Sequence, residues 1–377
     1  MTALSESETK LLAPAFPAPI SAGAIRAALE NPCGCRRLRE LASGKRRVVC
    51  LVEDASRPAK TAVLIEALLE ELAKSHPAPA RVELVFAHGA HLGLAEASRR
   101  EKLPPGLKIP IHHHDARADA IPIDRGVHGY PLYLNPVVAE ADLRIGVSTV
   151  NFHPAAGFSG GAKLIHPGVA NLESIMAHHA LPPGRRAQAD CPWRVGIERA
   201  AALAPLDFSL IMLVRPDGDL AGLWAGAAAP CEKAARQTLM RYAYLPRPEP
   251  AGFCLVGMKP YDRSLLGFFK AVDLCASLLA PGGIGVIAGA CFEGKGVHLW
   301  RWDASVMRDT AKRLRAELAG KKIFLQAPGL TPKEIEDCLP EGISPLAEAD
   351  AWTHLAAKAA GPKYHVPYGP LTAFAFP

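Results

Sequence analysis

Apolar, β-branched runs alternate along this chain with segments of helical periodicity, the pattern of an α/β protein with mainly parallel strands. Arg47–Glu53 reads as a strand. After a turn at Asp54–Pro58, the stretch Thr61–Ser75 sets Val63, Leu64, Ala67, Leu68 and Leu72 on one helical face. Strand Arg81–Ala87, helix Leu92–Lys102, extended segment Leu107–His112 and strand Asp142–Val150 follow. A glycine-rich loop then leads into a helix capped by Asn171, whose side chain can accept from the orphan amides of the first turn.

Prolines 246, 248 and 250 exclude both a helix interior and a central strand, so the pattern predicts two domains, 1–248 and 249–377. The second reads as strand Gly252–Gly257, helix Arg263–Leu279, turn Pro281–Gly283, strand Ile284–Gly289, helix Ser305–Leu318, strand Lys322–Gln326, helices Thr331–Leu339 and Leu346–Ala359, and strand Lys363–Pro367. A length of 377 residues fits two α/β domains with an active-site cleft between them.

Composition narrows the function. Hydrophobic residues make up 49% and charged residues 21%, which supports large cores and argues against a disordered chain. The net charge of +6 is dispersed among acids, apart from the basic stretch Arg36–Arg47, so a nucleic-acid footprint is not expected. Cys50, Cys254, Cys275 and Cys291 sit in apolar runs and read as buried thiols of a reducing compartment, whereas Cys33 and Cys35 lack the second pair a zinc site needs. With no signal peptide or membrane-length apolar run legible, the expected address is the cytoplasm.

Chemistry concentrates in three loops that each follow a predicted strand: Asp54-Ala-Ser-Arg57-Pro58, His88-Gly-Ala-His91, and His153-Pro-Ala-Ala-Gly-Phe-Ser-Gly-Gly-Ala-Lys163. In the third, Gly157, Gly160 and Gly161 permit close approach to a ligand, and Lys163 offers a charge or a nucleophilic amine. It is not a Walker A loop, since Ala162 precedes the lysine and Leu164 follows it. A cofactor loop, a tight structural turn and covalent lysine chemistry all remain open on these residues alone. Histidines 88, 91, 153, 166, 178 and 179 lie in or just after these loops, as metal-ligand or acid/base candidates. The run His112–His114 points to alternating sides of a strand and reads poorly as a ligand cluster.

Taken together, His153-PAAGFSGGA-Lys163, the following HPGVANLESIMA-His178-His179, Asp54-x-x-Arg57-Pro58 and Gly-x-His91 resemble the nickel-dependent lactate racemase family. So do Lys270-AVDLCASLLAPGG, Cys291-Phe-Glu-Gly-Lys-Gly and the closing Val-Pro-Tyr-Gly-Pro-Leu-Thr, and the likeness covers most of the chain. It implies a racemase or epimerase of a 2-hydroxy acid that uses a nickel pincer nucleotide, a pyridinium mononucleotide whose two sulfur arms and ring carbon hold nickel. By the same resemblance Lys163 carries the cofactor covalently and His179 ligates nickel. His91 and His153 are the acid/base pair, Arg57 and Lys270 bind the substrate carboxylate, and Asp54, Ser159, Gly160 and Gly161 line the cofactor. Cofactor-synthesis enzymes are then the implied protein partners, with no nucleic acid and no membrane.

Four positions depart from the family pattern: Ala155, Leu92, Ala162 and Gly267 are smaller or less charged than its usual residues. The departures point to a substrate larger than lactate, such as an aldonic or longer-chain 2-hydroxy acid, and leave the grip on the cofactor phosphate unassigned. The alternative is a non-catalytic or differently catalytic nucleotide- or metal-binding protein on the same scaffold. The joint presence of His91, His153 and Lys163 favours the enzyme.

Overall fold

A computed structural model describes residues 9–92, 95–126, 129–299, 316, 318–339, 342–348 and 350–375. The chain divides into a unit of Phe16–Arg241 and a unit of Tyr242–Pro377 joined by Met1–Ala15.

In the first unit, β1 (Arg47–Glu53), β2 (Arg81–Ala87), β3 (Ile111–His113), β4 (Leu143–Val150), β5 (Phe208–Val214) and β6 (Leu220–Gly226) form one sheet in the order β6-β5-β4-β1-β2-β3. All neighbours are parallel except the β5–β6 pair. Val48–Val52 are buried without interruption, as a parallel strand covered on both faces requires. The chain leaves β1 toward β2 and β3 but leaves β4 in the other direction, so the strand order reverses between β1 and β4. The carboxyl ends at such a reversal are where open α/β sheets bind ligands. Asp54–Pro58 follows β1, His88–His91 follows β2 and Asn151–Lys163 follows β4, so the topology delivers all three loops to one end of one sheet.

Helix α1 (Ala62–Ala73) buries Leu64, Ile65, Leu68 and Leu72, while Val63 is 41% exposed. The expected face is thus turned by a residue toward Ile65. Helix α2 is described over Ala95–Lys102 and does not include Leu92, where it was expected to start, and the segment expected extended from Leu107 pairs only from Ile111, after Pro110. Between Ala180 and Leu245, where the pattern reading names no element, the chain forms helix α4 (Pro192–Leu203), β5, β6 and helix α5 (Ala228–Ala243), with α3 (Leu172–His179) just before.

The second unit holds β7 (Ala251–Gly257), β8 (Leu279–Ala288), β9 (Lys322–Gln326), β10 (Ile343–Pro345) and β11 (Lys363–Val366), all parallel, with the short strand Lys10–Leu11 added beside β11. The expected boundaries shift for this reason: the chain start pairs with the C-terminal sheet, and Tyr244–Leu245 pairs with Ala373–Phe374. Pro281–Gly283 does not end a helix and start a strand. It bulges out of a continuous β8, whose register with β7 jumps from Ala251↔Leu279 to Phe253↔Ile284. The helix expected over Arg263–Leu279 is a 3₁₀ turn, Leu265–Lys270, followed by a short α-helix, Val272–Leu278. Gly267 lies so close to the Tyr261 carbonyl that a Cβ there would meet its oxygen at 2.0 Å. The helix expected from Leu346 starts at Ala351, because Leu346 donates its amide to the Leu325 carbonyl. The helix expected over 305–318 falls almost wholly outside the described residues. Among the described residues no helix is long and apolar enough to cross a membrane.

Candidate active site at the sheet reversal

Asp54, the first residue after β1 and buried, is the hub of the first two loops. Its Oδ1 accepts from the Ser56 amide at 2.9 Å and the Ser56 hydroxyl at 2.5 Å. Its Oδ2 faces His91 Nδ1 at 3.2 Å and His88 Nδ1 at 3.4 Å. Burial opposes the charge, but His91 and His88 outweigh it through charge and hydrogen bonding and hold the carboxyl well below its ordinary range. Facing an ionised carboxylate, the Nδ1 of each ring must be the donor. His88 Nε2 lies 3.0 Å from His113 Nδ1, with the rings of Phe86, His88 and His113 stacked. His112 instead pairs with Glu83 at 2.8 Å and His114 bonds the Ala170 carbonyl at 2.9 Å, so the three adjacent histidines have three separate partners.

A buried ion pair that the sequence reading missed supports the Arg57 turn. Lys102 Nζ donates to the carbonyls of Arg57 (2.9 Å) and Ala59 (2.7 Å) and lies 3.5 Å from Glu53 Oε1. Glu53 also accepts from the amide and hydroxyl of Thr149, both at 2.7 Å, tying the ends of β1 and β4 together. A carboxylate closing an otherwise apolar strand, just before Asp54, is the signal that could have flagged Glu53; nothing local marks Lys102.

In the third loop His153 sits on a two-residue strand paired antiparallel with Gly157–Phe158. Its Nδ1 accepts the amides of Ala155 (3.2 Å) and Ala156 (3.0 Å) from the intervening turn. The Ser159 hydroxyl faces the carbonyls of Thr149 and Asn151. The Gly161 amide donates to Ser148 Oγ and the Ala162 amide to Glu232 Oε1, both at 2.8 Å. These two amides are committed inside the protein, beside a carboxylate, and do not form the anion cradle a glycine-rich loop suggests. Gly160 and Gly161 have φ of +82° and +53°, and a Cβ on Gly161 would meet Glu232 Oε1 at 1.8 Å. Glu232 is held in turn by the fully buried Arg194 at 2.5 Å, which also bonds Glu198 at 2.7 Å.

Lys163 follows in a 3₁₀ turn. Desolvation, then the like charges of Arg57 and Arg194, push its amine down to about 7. His179, in the last turn of α3, donates Nδ1–H to the Ile175 carbonyl at 2.7 Å, which leaves the lone pair on Nε2, the tautomer of a metal-ligating histidine. Trp193 links it to the third loop, its ring centroid 4.5 Å from that of His179 and 6.5 Å from that of His153. Arg57, His91, His153, Lys163 and His179 are all half-buried, as groups that meet a ligand must be, while Asp54, Glu53, Lys102 and Arg194 behind them are buried. A 340 Å³ pocket lined by Tyr130, Asp190, Arg199 and neighbours contains none of these residues. Lys270 belongs to the second unit, where its Nζ lies 4.9 Å from the centre of the Tyr261 ring. Among the described residues no group of three or more His, Cys, Asp or Glu is arranged to hold a metal.

The lactate racemase N-terminal domain is matched by residues 4–189, which contain all three loops and His179. A lactate racemase from Thermoanaerobacterium thermosaccharolyticum is 28% identical over 291 residues, 74% of this chain and 68% of the relative. One from Lactiplantibacillus plantarum is 25% identical over 283 residues, 72% of this chain and 66% of the relative. Its N-terminal half is a lactate racemase N-terminal domain.

The likeness of fold extends over the whole chain. The lactate racemase apoprotein from T. thermosaccharolyticum matches with a TM-score of 0.84 at 21% identity, over 100% of this chain and 97% of that one. A protein from Thermotoga maritima matches at 0.67 and 14% identity, over 96% and 99%. Of the four positions read from the sequence as departures, Ala155 and Ala162 are buried, Ala162 within a small apolar cluster with Ala156 and Ile197. Leu92 is half-buried, and Gly267 is packed on the Tyr261 carbonyl.

Proposed function

We propose that this protein is a racemase or epimerase that inverts C2 of a 2-hydroxy acid with a nickel pincer nucleotide attached to Lys163. The likeness to lactate racemases supports the racemase or epimerase, and Lys163 and His179 offer the amine and the ring nitrogen that such a cofactor would need. The observation that carries the reading is Lys163, a desolvated amine at about 7 and therefore substantially neutral and nucleophilic in neutral solution, at the end of the sheet where ligands bind. His179 presents a ligating Nε2, and a single protein ligand suits a metal whose other donors come with its cofactor. Asp54 and the Ser159–Gly161 turn lie along the same loops.

When bound, the cofactor supplies an electrophilic ring that accepts hydride from C2 and returns it. The protein's own groups handle the rest. Hydride loss from C2 becomes feasible as the hydroxyl proton is removed, giving a planar 2-keto acid whose two faces are equivalent targets. His91 and His153 serve the hydroxyl oxygen, and the cation Arg57 holds the carboxylate while the keto group turns.

Ala155, Leu92, Ala162 and Gly267, each smaller or less charged than the residue the resemblance leads one to expect, favour a substrate larger than lactate. Enantiomer-resolved turnover by the cofactor-loaded protein, with lactate and a series of longer 2-hydroxy and aldonic acids, tests this. A higher kcat/KM for a longer acid is expected. Turnover of lactate with poor turnover of every longer acid overturns the size assignment, and turnover of none overturns the racemase.

A further inference from the structure

Strand β6 ends at Gly226, and the residue after it ties together two cysteines from distant parts of the chain. Cys33 forms a single bridge with Gly226: its amide donates to the Ala225 carbonyl at 2.8 Å, and its carbonyl accepts from the Ala227 amide at 2.9 Å. The Ala227 carbonyl in turn accepts from the Cys231 amide at 3.2 Å, at the start of α5. Ala227 thus bonds both cysteines through its backbone. The contact is close, since a Cβ on Gly34 would meet Pro230 Cγ at 2.9 Å. The two thiols differ in access: Cys33 is exposed and Cys231 is buried. Burial, then the neighbouring thiols of Cys33 and Cys35, push the Cys231 thiol up to about 12, with Cys33 within hydrogen-bond reach of it. A buried, protonated thiol is inert toward reagents in solvent, but it can resolve an oxidised partner held against it.

We propose that Cys33 and Cys231 form an oxidation site for peroxides, in which exposed Cys33 reacts first and Cys231 closes a disulfide on it. The site stands apart from the proposed function and does not depend on it. In the first step the Cys33 thiolate attacks hydrogen peroxide. An S–O bond forms, the O–O bond breaks and the departing hydroxide leaves as water after taking a proton, so the sulfur is oxidised to a sulfenic acid and the peroxide is reduced. In the second step the Cys231 sulfur attacks the Cys33 sulfur. The S–S bond forms, the S–O bond breaks, and the hydroxide that leaves carries the Cys231 proton away as water. Two thiols and one peroxide give one disulfide and two waters. Cys35, half-buried and with its thiol raised by desolvation, is the competing partner. Cys254 and Cys275 supply a control for proximity without access, since their sulfurs lie 3.4 Å apart and both residues are buried in the core of the second unit. Cys231 precedes Glu232, whose carboxylate accepts the Ala162 amide next to Lys163, so the bridge forms beside the support of the third loop.

The test treats the full-length folded protein with hydrogen peroxide, alkylates the remaining thiols in denaturant and maps the digest by mass spectrometry. A dithiothreitol-sensitive link between the Cys33 and Cys231 peptides is expected in the unaltered protein and in Cys35→Ser, with Cys254 and Cys275 still alkylated as thiols. Cys33→Ser, a change at an exposed position, should form no link and leave Cys231 a thiol. In Cys231→Ala the sulfenic acid has no resolving partner, and dimedone should trap it at Cys33 at least about tenfold more than in the unaltered protein. A Cys33–Cys35 bridge, sulfinic acid at Cys33 with Cys231 still a thiol, a bridge confined to Cys254 and Cys275, or an unoxidised Cys33 each overturns the proposal.

Discussion

Asp54 Oδ2 lies 3.2 Å from His91 Nδ1, so the residue that follows the first strand of the sheet keeps a proton on Nδ1 of a histidine 37 positions later. The same oxygen meets His88 at 3.4 Å. One buried carboxylate thus fixes two loops from neighbouring strands, and its own ionisation depends on them.

Replacing Asp54 by Asn keeps the size of the side chain but removes the charge that fixes the His91 proton on Nδ1. The expected loss in kcat for the loaded enzyme is between ~10² and ~10⁴-fold, with KM moving far less. Steady-state kinetics beside a thermal melt checks this, and a change below tenfold in a folded variant contradicts it.

Lys163 has a pH signature of its own. Its amine reacts only when neutral, so modification by an amine reagent should rise with pH and level off above a midpoint at about 7. Removing a like charge raises a lysine's pKa, and Arg57→Met should therefore move that midpoint upward. Peptide-resolved labelling across pH measures both. A midpoint near 10.5, the ordinary lysine value, shows that the amine is not desolvated.

The Glu53–Lys102 pair makes a stability prediction. Lys102→Met strands Glu53 and leaves two carbonyls unpaired, at a cost of ~3–5 kcal/mol. The double change with Glu53→Gln should recover part of it. Urea unfolding of the single and double variants measures the difference, and a neutral Lys102→Met shows that the pair does not hold the Arg57 turn.

The strands β1 and β2 were legible to the residue, because short runs rich in β-branched residues and bounded by turn residues favour a strand over a helix. So were the Asn171 cap, whose side chain accepts the Ser174 amide, and the loops that follow the strands. What escaped the sequence depends on pairing across long separations. Lys102 reaches the Arg57 carbonyl from 45 positions away, and Glu232 reaches the Ala162 amide from 70. Neither has a local signature, and Arg194 on an amphipathic helix reads as a surface residue until its partner is in place. Pro281–Gly283 misled for another reason, since a bulge and a turn need the same residues and only the register with β7 separates them.

The central claim is that Lys163 carries a nickel cofactor. Intact-protein mass spectrometry with nickel analysis, on protein produced alongside the cofactor-synthesis enzymes and compared with Lys163→Ala, addresses it directly. The account predicts a lysine-dependent mass addition with stoichiometric nickel. An unmodified chain free of nickel, from cells in which a known family member becomes loaded, would contradict it.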